Sequence, residues 1–270
     1  VCRVPIAHIH GGETTEGAID EAFRHSITKM SHLHFASCEP YRQRIIQLGE
    51  DPDRVFNVGA LGVENIRKIS LLDRISLATS IGFDLEKPYF LVTFHPVTLE
   101  KNTSEGQFQG LLDALDAFPE YNVIFTKANA DTDGRVINKM IEGYAAKRPE
   151  RCISVTSLGA LRYLSTMKYA SAVIGNSSSG IAEAPSFKIP TINIGDRQKG
   201  RIMATSIINC EPLASSIKAA ISQSTTPEFQ RILQDVRNPY EQSDTAQRIV
   251  SEIEKVDVAS LLKKKFYNIM

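Results

Sequence analysis

Ala172–Glu183 reads AVIGNSSSGIAE, a short β-branched run, Ala172–Ile174, followed by three serines, Ser177, Ser178 and Ser179, that favour the start of a helix. A strand passing directly into a serine-capped helix gathers free backbone N–H groups, hydroxyls and the positive end of the helix dipole at one spot. Such a spot suits phosphate oxygens. Glu183, one turn along, is placed to accept hydrogen bonds from ribose hydroxyls, as acidic residues do in other nucleotide folds. The plainer reading of the same pattern is an ordinary serine cap with a solvated glutamate.

Working outward, the same strand-then-helix alternation recurs along the chain. Strands are expected at Val4–Ile9, Leu33–Ala36, Val55–Val58, Phe90–Phe94, Asn122–Thr126, Ile153–Thr156, Thr191–Ile194 and Ser206–Asn209, with amphipathic helices between them. The clearest helix is Gln107–Phe118, where Phe108, Leu111, Leu112, Leu115 and Phe118 recur on one face. This is the pattern of an α/β fold with parallel sheets and crossover helices. Residues 88–239 hold a regular repeat and read as a complete doubly wound domain, whereas residues 1–63 offer only three strands, too few for such a sheet alone. Residues 64–87 read as a connector and 240–270 as closing helices with Ala246, Ile249, Val250 and Ile253 in phase. Lys263–Lys265 read as a solvated helix end.

Bulk properties narrow the function class. Lys plus Arg number 31 against 31 Asp plus Glu, so no global field attracts nucleic acid or an anionic membrane, and an anionic ligand must be held by local geometry. No apolar run approaches the ~20 residues needed to span a bilayer. The four cysteines, Cys2, Cys38, Cys152 and Cys210, form no C-x-x-C pair, which argues against a disulfide framework or structural zinc and suits a reducing cytoplasm. The first residues read as a strand already under way, as in a segment of a larger protein.

Two more segments carry candidate chemistry. Gly195–Arg201 (GDRQKGR) follows the strand Thr191–Ile194, where an α/β sheet binds ligands, and Arg197 can pair with a diphosphate; a solvated surface loop is the alternative. His8–Glu13 (HIHGGE) precedes a helical run from Gly17 to His25. Its glycine pair permits a sharp turn that presents Glu13. On the helix, Ile19, Phe23, Ile27 and Met30 make an apolar stripe, while Asp20 and Arg24, four apart, share an adjoining face. That spacing suits an aimed general base, and equally a surface ion pair. All six histidines, His8, His10, His25, His32, His34 and His95, fall in the first 95 residues. Two H-x-H pairs are a weak metal signal, no metal site is expected, and His95 at the sheet rim is better suited to a phosphate or leaving group.

Taken in order, HIHGGE (His8–Glu13), AIDEAFRHSITK (Ala18–Lys29), TFHP (Thr93–Pro96), KANAD (Lys127–Asp131), GNSSSGIAEAPS (Gly175–Ser186) and GDRQKGR (Gly195–Arg201) resemble the hydrolysing UDP-N-acetylglucosamine 2-epimerases, most closely the bacterial sialic- and legionaminic-acid branch. The resemblance implies two Rossmann-like doubly wound domains in a glycosyltransferase-B-like architecture, the first incomplete here, with UDP-sugar between them. It assigns Glu13 and Asp20 to acid/base work, Arg24 to their support and His95 to the diphosphate. Ser177, Ser178 and Arg197 would bind the diphosphate, Glu183 the ribose, and Asn129 and the main chain near Leu158 the nucleotide and uracil.

It also implies elimination of UDP through a 2-acetamidoglucal, then water addition with inversion at C2, no cofactor and a homodimer or homotetramer. Family members carry on the order of a hundred residues ahead of this region, including a Gly-Thr-Arg turn and a Gly-Asp segment with another carboxylate, so the chain by itself is expected to be inactive. UDP-diacetylbacillosamine or GDP-N-acetylglucosamine as substrate, a glycosyltransferase, and a non-catalytic nucleotide-sugar-binding module are the competing expectations.

Overall fold

A computed structural model describes residues 2–16, 18–97, 103–129 and 133–269. Gly17 of the expected helical run and the Ala130–Asp131 end of KANAD lie outside the described residues.

The first sheet is parallel, ordered β1-β2-β3, from β1 (Ala7–Ile9), β2 (Leu33–Ala36) and β3 (Val55–Asn57). β1 is shorter than the expected Val4–Ile9, and the left-handed φ of 51° at Arg3 breaks extended backbone just upstream. The crossover helices are α1 (Asp20–Met30) and α2 (Glu39–Gln47). The second sheet is built from β4 (Tyr89–Thr93), β5 (Asn122–Thr126), β6 (Cys152–Val155), β7 (Ala172–Gly175), β8 (Thr191–Ile194) and β9 (Ile207–Cys210). Its order is β6-β5-β4-β7-β8-β9, every pairing parallel. The chain runs outward from β4 to β6 and then returns to β7, so the order reverses between β4 and β7. Ligands bind at the carboxyl ends of strands at such a reversal. Gly175 makes the crossing possible: its φ is 135°, and a Cβ there would lie 1.9 Å from the Thr93 carbonyl oxygen.

The main core lies on one face of this sheet, where Phe90, Val92, Phe125 and Ile174 meet Phe108, Leu111 and Leu115 of α5 (Ser104–Leu115). Phe118, expected inside that helix, lies beyond its end and packs edge-on against Phe90 at 6.2 Å. The connector divides between the lobes. Val63 of α3 (Leu61–Lys68) joins the core around Tyr41, whereas Leu77 of α4 (Arg74–Ile81) joins Tyr89 and Met167. The second sheet is further flanked by α6 (Gly134–Ala146), α7 (Gly159–Tyr169), the short α8 (Ser178–Ala182), α9 (Ala214–Ser224) and α10 (Pro227–Gln234), and the chain returns to the first lobe through α11 (Thr245–Glu254). Thr245 Oγ1 at the start of α11 donates to the Val58 carbonyl at 2.8 Å, and Ile249 packs with Leu33 and Phe35.

The stripe Ile19, Phe23, Ile27 and Met30 is exposed. One expectation is corrected. The three lysines are not a uniformly solvated end: Lys264 Nζ donates to the carbonyls of Lys29 at 2.8 Å and Ser31 at 2.6 Å, capping α1 at its negative pole. It also pairs at 2.6 Å with the buried Glu50 carboxylate, which Lys29 and His34 contact as well. Burial raises the Glu50 pKa, but the hydrogen bonds from Lys264 and Lys29 outweigh it and hold the group below its ordinary value. Phe266 packs on Gly49, and the Tyr267 N–H donates to the Gly49 carbonyl at 2.9 Å.

Removing one partner of a buried pair strands the other. Lys264→Ala is expected to lower unfolding free energy by about 2–3 kcal/mol, and Lys263→Ala and Lys265→Ala by less than about 0.5 kcal/mol, as read from urea unfolding.

Candidate functional site

The two lobes meet along a cleft whose walls come from loops at the carboxyl ends of both sheets. A cavity of about 500 Å³ is lined from the first lobe by His8, His10, Glu13, Asp20, Phe23 and Arg24, and from across the cleft by Ser178, Glu183, Arg201 and Tyr240. A second cavity, at the β4/β7 reversal, is lined by Thr93, His95, Thr126, Lys127, Leu158, Tyr163, Ser177 and Ser179. The serine-capped α8 stands between them, Ser177 and Ser179 facing one and Ser178 the other.

Glu13 is the most tightly held group. The left-handed φ of 75° at Gly12 turns the backbone, and a Cβ there would meet the Tyr41 carbonyl oxygen at 2.3 Å, so the turn needs glycine. The carboxylate accepts from His10 Nδ1 at 2.8 Å and from Ser37 Oγ at 3.0 Å, and pairs with Arg201 at 3.0 Å. Burial pushes its pKa up, but the His10 hydrogen bond, the Arg201 charge and the Ser37 hydrogen bond prevail and bring it down to about 2. These contacts hold Glu13 as the carboxylate.

Asp20 is the first residue of α1 and is exposed to the cleft, its negative charge at the favourable end of the helix dipole. The expected Asp20–Arg24 pair is not formed. Arg24 is drawn instead to Glu21 Oε2 and to the Glu13 carbonyl oxygen, each at 3.3 Å, because the 13–16 turn folds back over the start of the helix. Arg24 thus supports the Glu13 turn directly.

Glu183 is the electrostatic opposite of Glu13. Its Oε2 is shut off from solvent with no hydrogen-bond partner among the described residues, and Gly62 makes room for it, since a Cβ there would stand 2.7 Å from Oε1. Burial raises its pKa to about 7 against the smaller opposing effects of a backbone hydrogen bond and the Arg201 charge. A buried acceptor without a partner, facing a cavity, is a place for a ligand donor.

At the second cavity Asn176 staples the strand ends together: its Oδ1 accepts from the His95 N–H at 2.7 Å and its Nδ2 donates to the His95 carbonyl at 2.8 Å. Ser177 caps α8, Ser179 bonds to the hydroxyl of the half-buried Tyr163, and Leu158 at the head of α7 is buried. Arg197 does not line either cavity; it donates to the Asn176 carbonyl at 3.0 Å and so braces the serine turn from behind. Asn129 lies exposed on the loop after β5, outside both linings.

Arg201 is the principal residue that the motif reading passed over, although it closes GDRQKGR. Its contact with Glu13 joins positions far apart in the chain, which no local spacing reports. Tyr240, whose hydroxyl meets Tyr41 at 3.0 Å and donates to the Ile202 carbonyl at 2.6 Å, was hidden for the same reason. Among the described residues no helix is long and apolar enough to cross a membrane, and no cluster of three or more His, Cys, Asp or Glu side chains is arranged to hold a metal ion.

The chain is 44% identical over 229 residues to the GDP/UDP-N,N'-diacetylbacillosamine 2-epimerase (hydrolyzing) of Campylobacter jejuni, a match covering 85% of this chain and 59% of that protein. It is 42% identical over 239 residues to polysialic acid biosynthesis protein P7 of Escherichia coli, covering 88% and 60%. The chain therefore spans about three-fifths of the length of these relatives. In fold it is similar to the Neisseria meningitidis UDP-GlcNAc 2-epimerase bound to UDP-GlcNAc, with a TM-score of 0.79 at 16% identity over 93% of this chain and 70% of that one. The Methanocaldococcus jannaschii enzyme in complex with UDP-GlcNAc and UDP gives 0.72 at 17% identity over 93% and 69%. The UDP-N-acetylglucosamine 2-epimerase family model matches residues 1–254, and the chain belongs to that family.

Proposed function

We propose that this chain is the part of a hydrolysing 2-epimerase that binds a UDP-linked 2-acetamido sugar, UDP-N-acetylglucosamine in the first instance, and converts it to N-acetylmannosamine and UDP for sialic-acid-type synthesis. The observation that carries the reading is the shared cleft: Glu13, Asp20 and Arg24 stand across one cavity from Ser178 and Glu183. In this reading the uracil lies near Leu158 with Asn129 beyond it, the diphosphate lies against Ser177, Ser178 and His95 with Arg197 bracing the turn, and the ribose meets Glu183.

The chemistry follows from charge. The C2 proton of the sugar is barely acidic until the C1–O bond to UDP begins to break, and the oxocarbenium character that develops at C1 acidifies it. Stabilising the departing diphosphate is therefore what makes the proton removable, and preorganised donors at that point are worth several kcal/mol. The Asp20 carboxylate accepts the C2 proton, the C–H electron pair forms the C1=C2 bond, and UDP leaves with the C1–O pair. Water then adds to C1 of the glycal while a proton returns to C2 on the opposite face. Glu13 supplies fixed negative charge beside the developing cation. The relative at 44% identity favours a second substrate, the 4-acetamido-6-deoxy sugar nucleotide UDP-diacetylbacillosamine.

Incubation of the full-length protein with each sugar nucleotide in deuterium oxide tests the reading. The expected product carries deuterium at C2 and appears with an equivalent of UDP; UDP release with no label at C2 overturns the epimerase assignment in favour of simple hydrolysis or transfer. The Glu183 assignment has its own test. Because this carboxyl is raised to about 7, the free protein holds its proton at pH 6, and ribose hydroxyls donating to the ionised form drive that proton off. Calorimetry of UDP binding in buffers of different ionisation enthalpy should show greater proton release by the wild type than by Glu183→Gln at pH 6, the difference vanishing above about pH 8.

A further inference from the structure

We propose that His10 is a catalytic residue of this site, the acid that returns a proton to C2 in the second half of the reaction, with Glu13 as the anion that orients it. The proposal rests on the epimerase reading above and assigns within it the source of the proton that returns to C2, Asp20 being the base of the first proton transfer.

Three observations converge on the imidazole. First, β1 stops at Ile9 and His10 adopts a left-handed φ of 64°, unusual for a bulky residue and held in place by its N–H donating to the Phe35 carbonyl at 2.9 Å. Continued strand would have sent the side chain elsewhere; this turn sends it into the cleft. Second, His10 Nδ1 is 2.8 Å from Glu13 Oε1, which fixes the ring orientation and places the proton on Nδ1. Glu13 is in turn held by Ser37 and Arg201, so the carboxylate cannot swing away. Third, the ring lines the cavity shared with Asp20 and Ser178, and Nε2 has no hydrogen-bond partner among the described residues. A carboxylate-oriented imidazole with its second nitrogen turned to a ligand cavity is the arrangement of a proton-transfer group.

The second half-reaction balances on this assignment. The Nε2–H proton of the His10 imidazolium passes to C2 of the glycal, the C1=C2 electron pair forming the new C2–H bond. Water oxygen donates a lone pair to C1, and the proton that water loses restores the imidazolium. Asp20, protonated in the first half, releases its proton to the departing diphosphate or to solvent. The sum is sugar nucleotide plus water giving the epimerised sugar plus UDP.

His10→Asn is the informative variant, because asparagine tolerates a positive φ and keeps the turn. Product with deuterium at C2, free glycal and UDP are followed together by NMR, with UDP affinity measured separately. The expected result is formation of labelled sugar at least about a hundredfold slower than wild type, continued release of UDP with free glycal, and unchanged UDP affinity; Glu13→Gln should show a milder form of the same split. Wild-type rates in His10→Asn overturn the proposal, as does equal loss of elimination and hydration. Loss of UDP binding in that variant also overturns it, by making His10 structural. With both proteins prepared at full length, a wild type that labels C2 while His10→Asn matches it removes the proposal alone; a full-length wild type that turns over none of the sugar nucleotides removes the epimerase reading and the proposal together.

Discussion

The ion pair between Glu13 and Arg201 is the constraint on which the site depends. Each residue belongs to a different lobe, both side chains are largely buried, and their contact at 3.0 Å sits where the two sheets' carboxyl ends face one another. Neighbouring bonds reinforce the seam. The Glu16 N–H donates to the Lys199 carbonyl at 3.1 Å, Thr14 Oγ1 donates to the Gly200 carbonyl, and the Ile202 N–H donates to Tyr41 Oη at 3.0 Å. A buried carboxylate without its guanidinium is expensive, so apposition of the lobes and ionisation of Glu13 are one event. The cleft walls are in place because this charge must be satisfied.

Two glutamates of the same cavity consequently end in opposite states. Glu13 has a cation, a hydroxyl and an imidazole within reach and is held down at about 2; Glu183 has burial with little compensation and is held up at about 7. Neither value follows from residue type. Both follow from which lobe supplies the partners, and Arg201 forms its ion pair with Glu13. Of these two glutamates, one therefore presents a ligand with a held negative charge and the other with a carboxyl able to change state on contact.

Much of the fold was legible because it is written in local pattern. All nine strands were placed within a few residues, since short β-branched runs bounded by helical periodicity identify buried parallel strands without tertiary information. The serine-capped α8 and the glycine turn before Glu13 were legible for a similar reason: caps and turns are decided by a few adjacent residues. What the pattern could not report was pairing at a distance. Asp20 and Arg24 are correctly spaced for an ion pair, yet Arg24 answers to Glu21 and the Glu13 carbonyl, and Arg201 outranks Arg197 because a glutamate 188 positions earlier lies beside it. The apolar stripe on α1 illustrates the same limit, since periodicity defines a face and leaves open what the face meets.

The contacts of residues 245–267 with the first lobe bear on how the chain acquires its shape. Thr245 hydrogen-bonds the end of β3, Ile249 fills the core beside Leu33, and Lys264 finishes α1, so the small sheet is completed by residues roughly two hundred positions downstream. During synthesis the larger sheet can assemble from near neighbours as it emerges, while the smaller one waits, with an open flank, for distant sequence to arrive. Vectorial order thus makes the lobe that emerges first the one that matures last.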